Sequence, residues 1–379
     1  VDPLTDSPFR FLFLEPFFGG SHRNFAEGLI AHSRHEIDLM TLPARFWKWR
    51  MRGAALYFCQ QIKNLDKYDG LIISDLMSLA DFKALTGPSC PPALVYFLEN
   101  QLTYPLAPGE TMDYQFGFTD ITTALTADLI RFNSRTHSDA FFTALPGFID
   151  MMPECRPRWV IETIRQKAGV IYPGVEVRKP DEYHLEIQSL ANPPLIIWNH
   201  RWEFDKNPKA FFDALDAVLG QGLEFQLALL GENFQAVPKE FLAAREKYGD
   251  RIVQYGYEPE CSIYRQWLRR GTVVISTALQ ENFGLAMVEA ISAGCLPLLP
   301  RRLAYPEVIP AVYHAQCLYR DQMDLVAKLV RIIVDPDRFS GLSQALATRM
   351  EKYDWKCQID AYDDLLISLA APSGSMVTD

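Results

Sequence analysis

Short apolar, β-branched runs alternate along the chain with longer segments whose apolar positions recur at helical spacing. FLFLEPF at 11–17 reads as a first strand, broken by Gly19-Gly20-Ser21, and FAEGLIAH as the helix after it. IDLMTLP (37–43), GLIISDL (70–76), ALVYFLEN (93–100), LIRFN (129–133) and KAGVIYPGV (167–175) read as further strands. Between them, residues 44–62 are basic and aromatic first and helical later, and Ser134 is placed to cap a helix beginning RTHSDAF. A second series opens with LIIWNH (195–200) and continues as alternating helices and strands to STALQENFGLAMVEAISAGCLPLLP (276–300), after which 321–370 reads as helical.

Strands alternating with helices predict an α/β chain of two parallel-sheet domains. The expected boundaries are 1–177 for the first and 195–354 for the second, with the polar, proline-bounded stretch 178–194 as linker. Ligands of open parallel sheets bind beyond the carboxyl ends of the strands. The unusual polar residues collect there: Gly19 to His22, Glu99-Asn100-Gln101, His200-Arg201, Gly231-Glu232, Tyr255-Gly256-Tyr257 and Glu281-Asn282. Polar loops of any α/β protein would collect there too.

Composition narrows the class. Of 379 residues 49% are hydrophobic and 22% charged, enough for an ample core without a metal or disulfide staple. Seven scattered cysteines without metal-ligand spacing fit reduced thiols and a cytoplasmic protein. No apolar run reaches the ~18 residues of a membrane span, and the first ten residues lack the pattern of a signal peptide. A formal charge of −10 argues against a generic nucleic-acid coat, although a local basic patch stays open.

Four groups of residues carry candidate chemistry. In 276–300, Gly284 opens a helix whose free N–H groups favour a phosphate, with Glu281 before it and Glu289 beyond. If helical throughout, the two glutamates stand ~12 Å apart, too far for a glycosidase pair but suited to hydroxyl-bearing groups on either side of a diphosphate. Arg201 and Lys206 lie in the loop before a helix that Asn207 can cap and Pro208 open, and could neutralise a diphosphate leaving group. Solvated charges, or partners for Glu203 and Asp205, account for them equally well. Gly19, Gly20 and His22 permit close backbone approach of a ligand, or simply make a tight turn. Lys48, Trp49, Arg50 and Arg52 interleave cations with aromatics, as phosphate grips and base-stacking surfaces do, or form a solvated face with its tryptophans on the core.

Glu281-Asn282-Phe283-Gly284 with Glu289 resembles the paired-glutamate motif of retaining glycosyltransferases of the GT-B fold, and Arg201 with Lys206 resembles their cationic pair. A closer resemblance runs over nearly the whole chain, to the tRNA-queuosine α-mannosyltransferase family. EPFFGGSHRNF, LPARFWKWRMRGAALYF, LENQLTYP, DYQFGF, NHRWEFDKNP and AYPEVIP carry it together with 276–300. The resemblance implies two Rossmann-like domains facing a central cleft, with 355–370 crossing back to the first. It implies no metal or other cofactor, a nucleotide-sugar donor, with GDP-mannose expected, and tRNA carrying queuosine as acceptor. Glu281, Arg201 and Lys206 would be catalytic. Gly19, Gly20, Tyr257, Asn282, Phe283, Gly284 and Glu289 would bind the nucleotide sugar. His22, Lys48, Trp49, Arg50, Arg52, Glu99 and Asn100 would bind the acceptor. The chain departs from the family at Leu98, where the family has a histidine before Glu-Asn-Gln, and at Phe204. The competing expectations are a GT-B transferase acting on a small molecule, lipid or glycan with another donor, and an inactive tRNA-binding relative.

Overall fold

A computed structural model describes residues 8–107, 109–177, 192–232 and 237–371. Most of the stretch read as a linker, 178–191, lies outside the described residues. The chain divides into two compact units, Val1–Gly174 with Trp355–Asp379, and Val175–Asp354.

The first unit holds six parallel strands, β1 (Arg10–Phe18), β2 (Glu36–Pro43), β3 (Gly70–Ser74), β4 (Ala93–Phe97), β5 (Leu129–Phe132) and β6 (Ala168–Val170), in the order β2-β1-β3-β4-β5-β6. Its helices are α1 (Gly20–His32), α2 (Trp47–Gln61), α3 (Leu79–Thr86), α4 (Tyr114–Thr126), α5 (Arg135–Asp150) and α6 (Trp159–Arg165). Continuous apolar strands are what a parallel sheet covered on both faces requires. β1 shows the division: Phe11 and Phe13 join one core with Phe25 of α1, while Leu12 and Leu14 join another with Phe58 of α2, Phe82 of α3 and Phe141 of α5. The strand expected over 167–175 shrinks to Ala168–Val170. α2 is helical from Trp47, earlier than the basic–aromatic composition suggests, because Phe46 turns into the left-handed region (φ 56°) and starts the helix there. Ser134 caps α5 by accepting the His137 N–H at 2.9 Å.

The second unit has strands β7 (Leu195–Trp198), β8 (Gln226–Leu229), β9 (Ile252–Tyr255), β10 (Val273–Ile275), β11 (Leu296–Pro300) and β12 (Leu318–Tyr319), in the order β12-β11-β10-β7-β8-β9. Helices α7 (Pro208–Leu219), α8 (Lys239–Tyr248), α9 (Cys261–Arg270) and α10 (Leu285–Ser292) alternate with them. α11 (Tyr305–Val308), α12 (His314–Cys317), α13 (Gln322–Val334) and α14 (Ser340–Met350) follow. Both sheets reverse their winding once, between β1 and β3 in the first and between β7 and β10 in the second. At such a reversal the two connections leave on opposite faces of the sheet and open a crevice at the strand ends. No described helix is long and apolar enough to cross a membrane.

The last helix, α15 (Trp355–Ala370), belongs to the first unit. Its Trp355 indole lies where side chains at Gly28 and Gly174 would have to be, and His32 stacks on it at 5.7 Å. Tyr362 donates to the Tyr172 carbonyl at 3.1 Å and lies 3.0 Å from the Tyr96 hydroxyl, while Asp363 accepts from the Ser33 hydroxyl and the Arg34 N–H. Trp355→Ala is expected to cost about 3–5 kcal/mol in urea unfolding, as for other buried aromatic truncations, with Gly28→Val destabilising through collision with the same ring. An unfolding curve unchanged in both variants would show that α15 is not held by this packing.

Candidate functional site

The loops after β7 and β10 flank the reversal of the second sheet. After β7 the chain runs Asn199-His200-Arg201 into a short turn, and Asn207 caps α7 with Pro208 at its first position. After β10, residues 276–284 lead to Gly284, whose φ of 95° allows α10 to begin abruptly at Leu285. A side chain there is strained by the backbone alone. Glu281 therefore precedes the helix and Glu289 lies within it, so the helical spacing of ~12 Å does not describe the pair.

One ion-paired group ties the two loops together. Lys206, only 7% exposed, donates to the Gln280 carbonyl at 2.8 Å and to Glu281 Oε2 at 3.4 Å, and pairs with Asp205 at 3.1 Å. Burial opposes the ammonium charge, but Glu281 and Asp205 outweigh it and raise the pKa above the usual lysine value, so Lys206 is a fixed cation. His200 lies 4.0 Å from Glu281; burial, with the charge of Lys206 beside it, pushes its imidazole down to about 3 and keeps it neutral. Arg201 pairs with Glu203 at 3.3 Å and remains one-third exposed. The partners Glu203 and Asp205 are thus real, and so is the convergence of Arg201, Lys206 and Glu281 on the two loops.

Beyond Gly284, Glu289 accepts the Tyr264 hydroxyl at 3.0 Å, and Asn199 donates to Tyr264 at 3.1 Å and to the Ala286 carbonyl at 2.7 Å. Burial raises the Glu289 pKa, and the Tyr264 hydrogen bond works against that. This orders Glu289 rather than leaving it on a solvated face. Asn282 accepts from the Gln280 amide at 2.9 Å. Phe283 packs edge-on against Tyr353, 2% exposed, so its side chain serves the core. Tyr257 is 55% exposed in the loop after β9, at the sheet edge. Gly19 and Gly20 belong to the other unit, as the cap and first residue of α1, and Gly20 has φ 51°.

In the first unit His22 and Glu99 come together, with Asn100 next in the chain, at the ends of β1, β3 and β4. Sequence reasoning missed their neighbours Glu15 and Asp75, and Asp120 of α4. Glu15 binds His22 Nδ1 at 3.2 Å and the Phe17 N–H at 2.8 Å. Asp75 accepts the N–H groups of Leu98 (2.8 Å) and Glu99 (3.3 Å). Leu98 itself is buried, and its carbonyl accepts from Asn133. The signal was an acid inside each of two apolar strand segments, FLFLEPF and GLIISDL. On α2, Trp49 is 75% exposed and Phe46 just before it 68%, whereas Trp47 packs on Phe116. Lys48 pairs with Glu110 at 3.6 Å, Arg50 reaches the Pro43 carbonyl and Arg52 the Thr119 hydroxyl. The two readings of this segment divide by residue: Trp47 goes to the core, and Trp49 to solvent.

Burial alone would lower the His22 pKa, but Glu15, aided by Asp75 and Glu99, raises it to about 9. Burial raises Asp75 to about 7, with Glu99 adding to it and His22 opposing. For His22, the proton held more tightly in the folded chain contributes stability that is complete below pH 6.5 and lost as pH rises through about 9. The difference corresponds to ~3 kcal/mol. Thermal melting is expected to fall from about pH 7.5 to about pH 9.5, beyond the Asp75 range, and to fall much less in His22→Gln. Equal slopes in both proteins would exclude the ion pair.

Residues 10–175 match the family described as tRNA-queuosine alpha-mannosyltransferase N-terminal, and 181–352 match glycosyl transferases group 1. The chain is 36% identical over 327 residues to the tRNA-queuosine alpha-mannosyltransferase of Drosophila melanogaster, covering 84% of this chain and 85% of that one. Sucrose-phosphate synthase from Thermosynechococcus elongatus shares the fold with a TM-score of 0.71 at 16% identity, over 95% of this chain and 99% of the other. Anabaena HepE in complex with UDP and glucose does so with a TM-score of 0.68 at 15% identity, over 95% and 100%. The fold is GT-B, the chain is a glycosyltransferase, and it belongs to the tRNA-queuosine alpha-mannosyltransferase family.

Proposed function

We propose that this enzyme moves mannose from GDP-mannose to a hydroxyl of queuosine in tRNA, with retention at the anomeric carbon, without a metal or other cofactor, in the cytoplasm. The observation that carries the donor half is the buried Lys206–Glu281 pair at the sheet reversal, with Arg201 beside it. A leaving nucleoside diphosphate gains negative charge as the glycosidic bond breaks, and fixed cations in a water-poor site stabilise that charge without reorganising. Lys206 supplies a held point charge and Arg201 a planar fork. The free N–H groups at the start of α10 add a positive dipole end. Glu281, braced by Lys206, is the acceptor for sugar hydroxyls. Glu289, braced by Tyr264, is the acceptor for ribose hydroxyls. The new bond forms on the face the diphosphate leaves, and a donor phosphate oxygen takes the acceptor proton.

The acceptor half rests on the family and on α2. Its exposed Trp49 offers a stacking face and its cations a phosphate grip, which together bind unpaired nucleotides with little sequence preference. An overall charge of −10 leaves such binding to a local patch.

The decisive assay is nucleoside mass spectrometry of queuosine-bearing tRNA after incubation with a panel of nucleotide sugars. A hexose increment on queuosine with GDP-mannose is expected, and an increment confined to another donor would overturn the donor assignment. Arg201→Ala is the cleaner test of the cationic group, because removing Lys206 strands buried carboxylates. It is expected to lower kcat ~100-fold or more with little change in melting temperature; wild-type turnover would dismiss Arg201. Replacing Lys48 and Arg50 by alanine is expected to lower the salt dependence of tRNA binding by ~0.7–0.9 in log–log slope for each phosphate no longer neutralised. An unchanged slope would move the RNA grip elsewhere.

A further inference from the structure

Four carboxyl groups and one imidazole converge at the reversal of the first sheet. Glu15 is fully buried at the end of β1, Asp75 is 1% exposed after β3, and Asp120 is 1% exposed on α4. Glu99, after β4, is the member that reaches solvent. The cation among them, His22, is committed to Glu15. The other three face one another: Asp75 feels Glu99, and Asp120 feels both. Backbone and amide donors meet part of their demand, with the Gln101 N–H on Asp120 Oδ2 at 2.6 Å and the Gln101 amide on Glu99 Oε1 at 3.1 Å.

Part of that demand is unmet. Asp120 Oδ1 is shielded from water and has no hydrogen-bond partner among the described residues, on a carboxyl that faces Asp75 and Glu99. Nδ2 of the fully buried Asn100 is likewise without one. Buried polar atoms are rarely left so, and carboxyls crowded out of water are destabilising while ionised unless protons or a bound cation complete them. A ligand completing the site brings N–H or O–H donors for the carboxyls, an acceptor for Asn100 Nδ2, and the positive charge that His22, paired with Glu15, does not supply; it enters past Glu99.

We propose that Asp75, Glu99 and Asp120 form a subsite for a ligand arm that joins an ammonium to neighbouring hydroxyls, which on the tRNA-acceptor reading is the aminomethyl-cyclopentenediol side chain of queuosine. Burial favours the protonated forms of Asp75 and Asp120 while nothing is bound; an ammonium beside them favours the ionised forms, which accept hydrogen bonds from its N–H and from the hydroxyls. Guanosine at the same place in the tRNA brings neither the charge nor the hydroxyls, and leaves the acids unpaired. The subsite therefore supplies the discrimination between modified and unmodified tRNA. The exposed cations and Trp49 of α2 supply affinity for any RNA of the right shape. A site built of unsatisfied buried polar groups rejects the ligand that lacks their partners much more strongly than an apolar pocket would.

The test compares binding of one tRNA in two forms, with queuosine and with guanosine in its place, to the full chain by fluorescence anisotropy. The wild type is expected to prefer the queuosine form at least 10-fold. Glu99→Gln and Asp120→Asn are expected to bring that ratio close to one, chiefly by weakening binding of the queuosine form. Glu99 is partly exposed, so Glu99→Gln carries the test if Asp120→Asn fails to fold. A wild-type ratio near one, or a ratio undiminished in a folded Glu99→Gln, overturns the proposal. Hexose transfer from GDP-mannose is measured in parallel. Preference for queuosine without transfer from any donor would sink the transfer reading and leave the subsite standing. Transfer with a ratio of one would do the reverse.

Discussion

A lysine held out of water between two carboxylates governs the second unit. Lys206 reaches from the loop after β7 to the loop after β10, and its ammonium binds the backbone of one residue there and the side chain of the next. The loop after β7 holds a single 3₁₀ turn, Phe204–Lys206, and the loop after β10 has no helix or strand before Leu285. The sheet reversal brings them side by side, Gly284 ends the irregular stretch, and the ion pair fixes what lies between. Removing one partner of such a group leaves an uncompensated buried charge, so the same interaction that stabilises the loops also keeps the positive centre in position. Electrostatic preorganisation and local stability here are one property of one side chain.

The first unit gathers mainly acids at the matching place. Its reversal lies between β1 and β3, and the side chains gathered there are acids around a single imidazole. The two sheets thus use the same topological opening differently, with paired cations and carboxylates at the start of a helix in one, and carboxyls around one imidazole in the other.

Much of this was readable from residue order. Apolar runs such as FLFL announced a doubly covered sheet, and Ser134, Asn207-Pro208 and Gly284 marked helix starts because capping chemistry is local. Arg201, Lys206 and Glu281 were legible as a set only through resemblance, since 75 positions separate Lys206 from Glu281. Spacing misled where it assumed one regular element across Glu281 and Glu289, because the helix begins only after Gly284, at Leu285. The acids at 15, 75 and 120 escaped notice for a related reason. Each looked like an isolated polar residue in an apolar stretch, and strand order, which no local pattern encodes, makes them neighbours. Tyr264 was hidden as well, being one more aromatic on an amphipathic helix until Glu289 is seen against it.

The return of α15 has a consequence for how the chain is made. Ser33 and Asp363 are hydrogen-bonded across 330 positions of sequence. As the polypeptide leaves the ribosome, one face of the first sheet emerges with α1 as its cover, and Phe13 and Tyr96, with Phe25 of α1, await Trp355 and Tyr362. The second unit, continuous in sequence, is synthesised whole in the meantime. Its folding does not wait on the amino-terminal half, while the amino-terminal half waits on the last helix to appear. The unit begun first is therefore finished last, and its exposed aromatic face is the surface that a chaperone would have to cover during synthesis.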